Sequence, residues 1–228
     1  MQPEELAKTI DHTLLRPDST VGDVMRLCDE AAAYHFASVC VHPWFVPLAA
    51  ERLRRADVKA GTVVSFPFGA DSPRVKVMAA SDAIACGADE IDVVIALPAM
   101  LSGEFTAVRN ELASIVRAAH VQGVNHGRGQ VIVKAIIETC YLSDQLKRLA
   151  CRICEQANVD FVKTSTGFGP HGATVRDVEL LRECLDERIA VKASGGIRTV
   201  RDVERMVNAG AVRVGTSAGV DIMRHYAD

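Results

Sequence analysis

Lys134, Lys163 and Lys192 each stand in a short apolar segment between small or β-branched neighbours: Val133 and Ala135, Val162 and Thr164, Val191 and Ala193. Asp92 and Glu138 occupy comparable places in Glu90–Leu97 and Val131–Thr139. If these segments are strands, alternate side chains share a face. Ile91, Val93 and Ile95 then oppose Glu90, Asp92 and Val94, and Val131, Val133, Ala135 and Ile137 oppose Lys134, Ile136 and Glu138. Lys163 with Ser165, and Lys192 with Ser194, likewise oppose apolar or neutral neighbours. The spacing therefore gathers Asp92, Lys134, Glu138, Lys163 and Lys192 on one inward face. A lone buried charge is expensive, whereas a mixed cluster compensates itself. Its chemistry would be that of an amine nucleophile. A free lysine, with a pKa of ~10.4, is neutral in only about one copy in 2,500 at pH 7, and a shift to ~7 raises that share roughly a thousandfold. Burial and a second cation both push that way. A purely structural ion-pair network is the rival explanation, but apolar residues would fill the space at lower cost.

A second set of residues is suited to phosphate. Ser194-Gly195-Gly196-Ile197-Arg198 is followed by Thr199 as a helix cap, and Gly215-Thr216-Ser217 forms another small-residue turn. Glycines let an anion approach backbone N–H groups, and a helix N-terminus adds a favourable dipole. Ser217 is placed either to contribute a hydroxyl or to cap the last helix. Gly167-Phe168-Gly169-Pro170-His171-Gly172 matches the spacing of a dinucleotide loop. Pro170 interrupts it, however, and the following strand ends in Ser194-Gly195 rather than an acid for the ribose hydroxyls. We read no NAD site there.

Strand-like and helix-like segments alternate along the whole chain. Strands are expected at Ala37–His42, Thr62–Phe66, Glu90–Leu97, Val131–Thr139, Phe161–Thr166, Ala190–Ser194 and Val212–Gly215. Helices are expected at Val21–His35, Val46–Ala56, Pro73–Cys86, Phe105–Val121, Ser143–Gln156, Thr174–Glu187 and Thr199–Asn208. Thr9–Leu14 supplies an eighth strand, so the pattern predicts a (β/α)₈ barrel of one domain spanning residues 1–228. A doubly wound open sheet would alternate equally well, but the charged inward faces favour a closed lumen. The glycine turns fall after strands seven and eight, where barrels commonly bind phosphate. The polar segment Asn125–Gln130 is expected to turn at the opposite end.

The formal net charge of -3 gives no reason to expect nucleic acid as a partner. Seven scattered cysteines suit reduced thiols in the cytoplasm. Cys151 and Cys154 form a CxxC inside an amphipathic run, without the second pair that a zinc site needs, so packing is their expected role. No window has the apolar length of a membrane helix, and no leader-like segment opens the chain.

The motifs Ile10-Asp11-His12-Thr13-Leu14-Leu15, Glu90-Ile91-Asp92-Val93-Val94-Ile95, Lys134 with Ile136-Ile137-Glu138-Thr139, Val162–Phe168 and Lys192–Arg198 together resemble the deoxyribose-phosphate aldolase family, in order and over nearly the whole chain. The resemblance implies reversible cleavage of 2-deoxy-D-ribose 5-phosphate to acetaldehyde and glyceraldehyde 3-phosphate, without metal or organic cofactor. It further implies Lys163 as Schiff-base lysine, Lys192 as its neighbour and Asp92 as proton carrier. Asp11, Thr13 and Lys134 match positions near the substrate hydroxyls, and Gly167, Gly195, Gly196, Arg198, Gly215 and Ser217 match the phosphate side. Glu138 is a candidate for orienting Lys134 or a water. Two stretches depart from the family: Ala96-Leu97-Pro98-Ala99-Met100, where many members read Asn-Ile-Gly-Ala-Leu, and the end Arg224-His225-Tyr226-Ala227-Asp228, where many carry a mobile tail with a tyrosine. The sequence leaves oligomeric state open, although family members are often dimers or tetramers. Two other functions are compatible with the same residues. One is a metal-free phosphosugar isomerase or epimerase using Asp92 and Glu138 as acid and base; the other is a non-catalytic phosphosugar-binding protein.

Overall fold

The computed structural model describes residues Met1–Ala227. Eight parallel strands close into a barrel in sequence order: β1 (Ile10–Leu14), β2 (Ser38–Val41), β3 (Lys59–Val64), β4 (Glu90–Val94), β5 (Ile132–Ile136), β6 (Phe161–Lys163), β7 (Ala190–Ser194) and β8 (Arg213–Thr216). β8 pairs with β1 through Ile10 opposite Val214 and Asp11 opposite Gly215, so no open edge remains. The open-sheet alternative is thereby excluded, and Thr9–Leu14 contains the eighth strand.

Helices α1 (Pro3–Ala7), α2 (Val21–Ala33), α3 (Val46–Leu53), α4 (Pro73–Ala85), α5 (Leu97–Leu101), α6 (Phe105–Asn125), α7 (Asp144–Ala157), α8 (Val175–Cys184), α9 (Val200–Asn208) and α10 (Gly219–Ala227) accompany the strands. Strand residues Ile91, Val93, Val133, Ala135, Val162, Val191, Ala193 and Val214 are buried with helix residues such as Val108, Leu112, Ile115, Leu181 and Val203 in one apolar core. Period-two alternation in the strands thus meets helix stripes of period 3.6, which is what fixes the outward face. Cys151 and Cys154 lie inside that core on α7, and burial pushes the Cys151 thiol up to about 12.

Several strands stop short of the sequence expectation, each for a local reason. Ser65 has φ 54°, which ends β3 before Phe66, while pairing with β2 recruits Lys59, Ala60 and Gly61 at its start. β4 ends at Val94, and α5, with Pro98 in its first turn, begins at Leu97, the last residue expected to continue that strand. Glu138 has φ 50°, so the strand period is lost before that residue. α1 and α5 carry no counterpart in the sequence reading, and α10 is the last helix that follows Ser217. The polar turn around His126–Gln130 leads into β5, at the end of the barrel where strands begin. Tyr226 lies at that same end, its hydroxyl donating to the Met1 carbonyl.

An ion pair outside the lumen braces β4. Lys76 on α4 donates to Glu111 on α6 at 2.7 Å and to the Val94 carbonyl at 2.9 Å, with both side chains buried. Burial holds the Lys76 ammonium below its usual range and the Glu111 carboxyl above its own. Lys76→Ala strands a buried carboxylate and is expected to cost about 3–5 kcal/mol in urea unfolding. Replacing both partners, Lys76→Met with Glu111→Leu, is expected to recover most of that loss.

Candidate active site

Strand register brings the inward charges together. Asp92 is the register partner of Lys134, and Lys163 of Lys192. The Asp92 carboxylate accepts from three amines: Lys134 Nζ at 2.9 Å, Lys163 Nζ at 2.7 Å and Lys192 Nζ at 2.6 Å. Lys192 Nζ forms an ion pair with Asp11 at 2.5 Å, and Lys134 Nζ also reaches Glu90 at 2.5 Å. Arg213, on the first residue of β8, forks onto Asp11 and onto Glu90, the latter at 3.0 Å, and touches Ser38 Oγ at 3.1 Å. All of these side chains are nearly or wholly shut off from solvent.

The charges set one another's protonation. Burial pushes the Lys163 ammonium below its usual range; Asp92 opposes that shift, and Lys192 reinforces it. Burial also disfavours charge on Lys192 and Lys134. There it is outweighed, by Asp11 and Asp92 at Lys192 and by Asp92, Glu90 and Asp11 at Lys134, so both stay above the usual lysine range. Burial would lift Asp92, yet the lysines Lys134, Lys163 and Lys192 hold it well below the carboxylate range. Among the three lysines, then, one alone is biased towards the neutral amine.

That lysine is also the one that meets the cavity. A space of about 410 Å³ at the ends of the strands is lined by Thr13, Lys163, Gly167, Gly195, Gly196, Arg198, Gly215 and Ser217, with Arg16, Thr166 and Phe168 among its other walls. The eight residues first named are all ones the sequence singled out. Gly167, Gly195 and Gly196 have φ values of 89°, 89° and 80°, a region costly for side chains bearing Cβ. Among the described residues, the N–H groups of Gly167, Gly195, Gly196 and Ile197 have no hydrogen-bond acceptor within the chain. The α9 terminus behind them is partly engaged, although the Val200 and Arg201 N–H groups have no acceptor among the described residues. Asp202 accepts from the Arg198 and Thr199 N–H groups at 3.2 and 3.1 Å, and Thr199 caps the Asp202 N–H in return. At the cavity wall itself the unengaged donors are those of the glycine turns, with Arg16 and Arg198 beside them.

Other sequence expectations need correction. Glu138 does not face Lys134: its left-handed backbone turns the carboxylate towards Thr166, whose N–H it accepts at 3.2 Å and whose hydroxyl it also binds. It lines a separate apolar recess of about 280 Å³ with Phe68, Leu97, Tyr141 and Phe168. Asp11 and Lys134 do not line the main cavity either; they are engaged deeper in the lumen. Thr216, rather than Ser217, accepts from the Ala218 N–H at the start of α10. The dinucleotide-like spacing has a packing cause, since a Cβ on Gly172 would lie 2.2 Å from the Gly195 carbonyl oxygen and one on Gly169 2.7 Å from Cys140 Sγ. Arg213 and Glu90 were not singled out as site residues. Arg213 shares the inward face with Gly215 two residues on, and that alternation was the available signal.

The closed barrel with a buried amine below a glycine-lined cavity defines a lumen suited to carbonyl chemistry on anionic substrates. The chain matches the DeoC/LacD family aldolase over residues 6–225, and it belongs to that family. It is 49% identical over 221 residues to the deoxyribose-phosphate aldolase of Caldanaerobacter subterraneus subsp. tengcongensis, covering 97% of this chain and 93% of that protein. Identity to the deoxyribose-phosphate aldolase of Thermococcus kodakarensis is 46% over 230 residues, covering both chains completely. Among solved structures, the tetrameric deoxyribose phosphate aldolase from Aeropyrum pernix superposes with a TM-score of 0.89 at 33% identity, covering 100% of this chain and 93% of that one.

Gly172→Ala is expected to push the loop carrying Gly195 and Gly196 outward. Overpacking of this kind costs about 1–3 kcal/mol, read as a lowered urea midpoint together with weakened binding of inorganic phosphate by calorimetry.

Proposed function

We propose that the chain is a class I deoxyribose-phosphate aldolase, a single (β/α)₈ domain that reversibly cleaves 2-deoxy-D-ribose 5-phosphate to acetaldehyde and D-glyceraldehyde 3-phosphate. The observation carrying this reading is the position of Lys163: it lies 2.7 Å from Asp92, beside Lys192, at the floor of a cavity walled by glycine turns. Its neutral amine attacks the aldehyde carbon, and loss of water leaves a protonated imine. This imine takes up the electron pair of the C2–C3 bond as that bond breaks. A base takes the C3 hydroxyl proton as glyceraldehyde 3-phosphate departs, a proton is returned to C2 of the enamine, and hydrolysis returns the amine and acetaldehyde. The cavity volume suits a five-carbon phosphosugar.

Lys192 is the second cation that, together with burial, pushes Lys163 towards the neutral amine. Asp92 holds both amines and carries protons between the reacting nitrogen and the lumen. Three ammonium contacts would leave it too weakly basic, since a useful carrier needs a pKa near the working pH. When Lys163 is neutral, one of those cations is gone and the carboxylate becomes a better acceptor. Gly167, Gly195, Gly196, Gly215 and Ser217, with Arg198, take the phosphate, while Thr13 faces the sugar hydroxyls; Asp11 and Lys134 support them from below. Seven cysteines without disulfide bonds support a cytoplasmic setting, and no described helix is long and apolar enough to cross a membrane. Assembly into a homo-oligomer has support from the tetrameric relative.

Lys163→Arg is expected to abolish turnover, because guanidinium cannot form the imine. Borohydride with acetaldehyde should add one covalent adduct at Lys163 by mass spectrometry. An isomerase or a mere binding protein would give none. Lys192→Leu removes a repelling cation, so the Lys163 pKa rises and the acid limb of kcat/KM moves to higher pH. An unshifted limb would count against that role.

A further inference from the structure

The lumen holds four basic groups, Lys134, Lys163, Lys192 and Arg213, against three carboxylates, Asp11, Glu90 and Asp92. One base is therefore in excess. Connectivity decides which one. Lys134 contacts Glu90 and Asp92, Lys192 contacts Asp11 and Asp92, and Arg213 contacts Asp11 and Glu90. Lys163 contacts Asp92 alone, through the oxygen that Lys192 also uses. It is the least compensated of the four, and the one whose proton can leave through the cavity.

We infer that Arg213 and Glu90 are positioning residues that set, in opposite directions, the pH at which Lys163 sheds its proton. The inference rests on the Schiff-base reading above. Neither side chain lines the cavity, so neither touches substrate; they act through Asp11 and Lys134. Arg213 occupies Asp11 and Glu90 with a cation that cannot be discharged. The lumen's surplus positive charge thereby falls on Lys163. Glu90 does the reverse, absorbing part of the charge of Lys134 and Arg213.

The titratable groups that share the lumen with Lys163 are few. β1 contributes Asp11, β4 Glu90 and Asp92, β5 Lys134, β7 Lys192 and β8 Arg213. β2 contributes the Cys40 thiol, which burial pushes up to about 11 and which therefore stays neutral at working pH. β3 presents Val63, register partner of Asp92. At the rim, Glu138 is engaged by Thr166, and Arg16 and Arg198 line the cavity.

The test compares full-length wild type with Arg213→Met, Glu90→Gln, the double variant and Arg213→Lys. Two readouts are followed against pH: kcat/KM, and the rate of Lys163 adduct formation with acetaldehyde and cyanoborohydride. Arg213→Met leaves three bases facing three acids, so its acid limb should move up by about one pH unit, as expected for one buried charge several ångströms away. Glu90→Gln leaves four bases facing two acids, and its limb should move down by a similar amount. The double variant and Arg213→Lys should both lie near wild type. A purely structural role predicts loss of rate in every variant without opposite displacement of the limbs. Shifts in the same direction, or none, in variants that still trap acetaldehyde would overturn the inference while leaving the Schiff base intact. If Arg213→Met does not fold, a limb that stays put or rises in Glu90→Gln overturns it equally. Absence of any adduct in wild type would instead remove the Schiff-base reading, and this inference with it.

Discussion

The Asp92 carboxylate, shared among three lysines in the centre of a closed barrel, is the contact on which the lumen's charge arrangement and the proposed chemistry depend. A lumen filled with branched apolar side chains would be cheaper to build. Here the lumen accepts desolvated charge, and the structure compensates by giving nearly every charge two opposite partners. Lys163 has one, which it shares. A network of this kind both tolerates burial and singles out one amine, so the structural and chemical explanations of the charge cluster are parts of one arrangement.

The surrounding fold keeps that arrangement in register. Outward faces of the strands pack into a continuous apolar core, fixing which residues can look inward. Lys76 and Glu111 brace the end of β4 just beyond Asp92. Loops at the mouth fit against each other through glycines: Gly172 against Gly195, and Gly169 against Cys140. Asp202 engages the Arg198 and Thr199 N–H groups at the α9 terminus, and the glycine turns line the cavity wall.

Much of this was legible in the sequence, because strand alternation is a strict rule wherever strands are regular. It put Asp92, Lys134, Lys163 and Lys192 on one face, and the glycine turns marked the cavity. It failed at Glu138, where a left-handed residue breaks the period that the rule assumes. Alternation also reports face and not depth, so it could not tell that Asp11 and Lys134 lie below the cavity that Thr13 and Lys163 reach. Arg213 escaped notice because a single base at the start of a short strand looks like a surface charge until β8 closes against β1. Tyr226, read against the family's tail, lies at the opposite end of the barrel on α10.

The distribution of lumen charge along the chain has its own consequence. All three carboxylates come from β1 and β4, and all four bases from β5 to β8. Each half-barrel alone would hold a concave face of one sign, repelling itself and attracting the other half. Docking of the two halves, rather than growth of either, is then the step at which this lumen becomes tolerable to bury, and two fragments separated in the turn before β5 would carry a built-in preference for each other over copies of themselves.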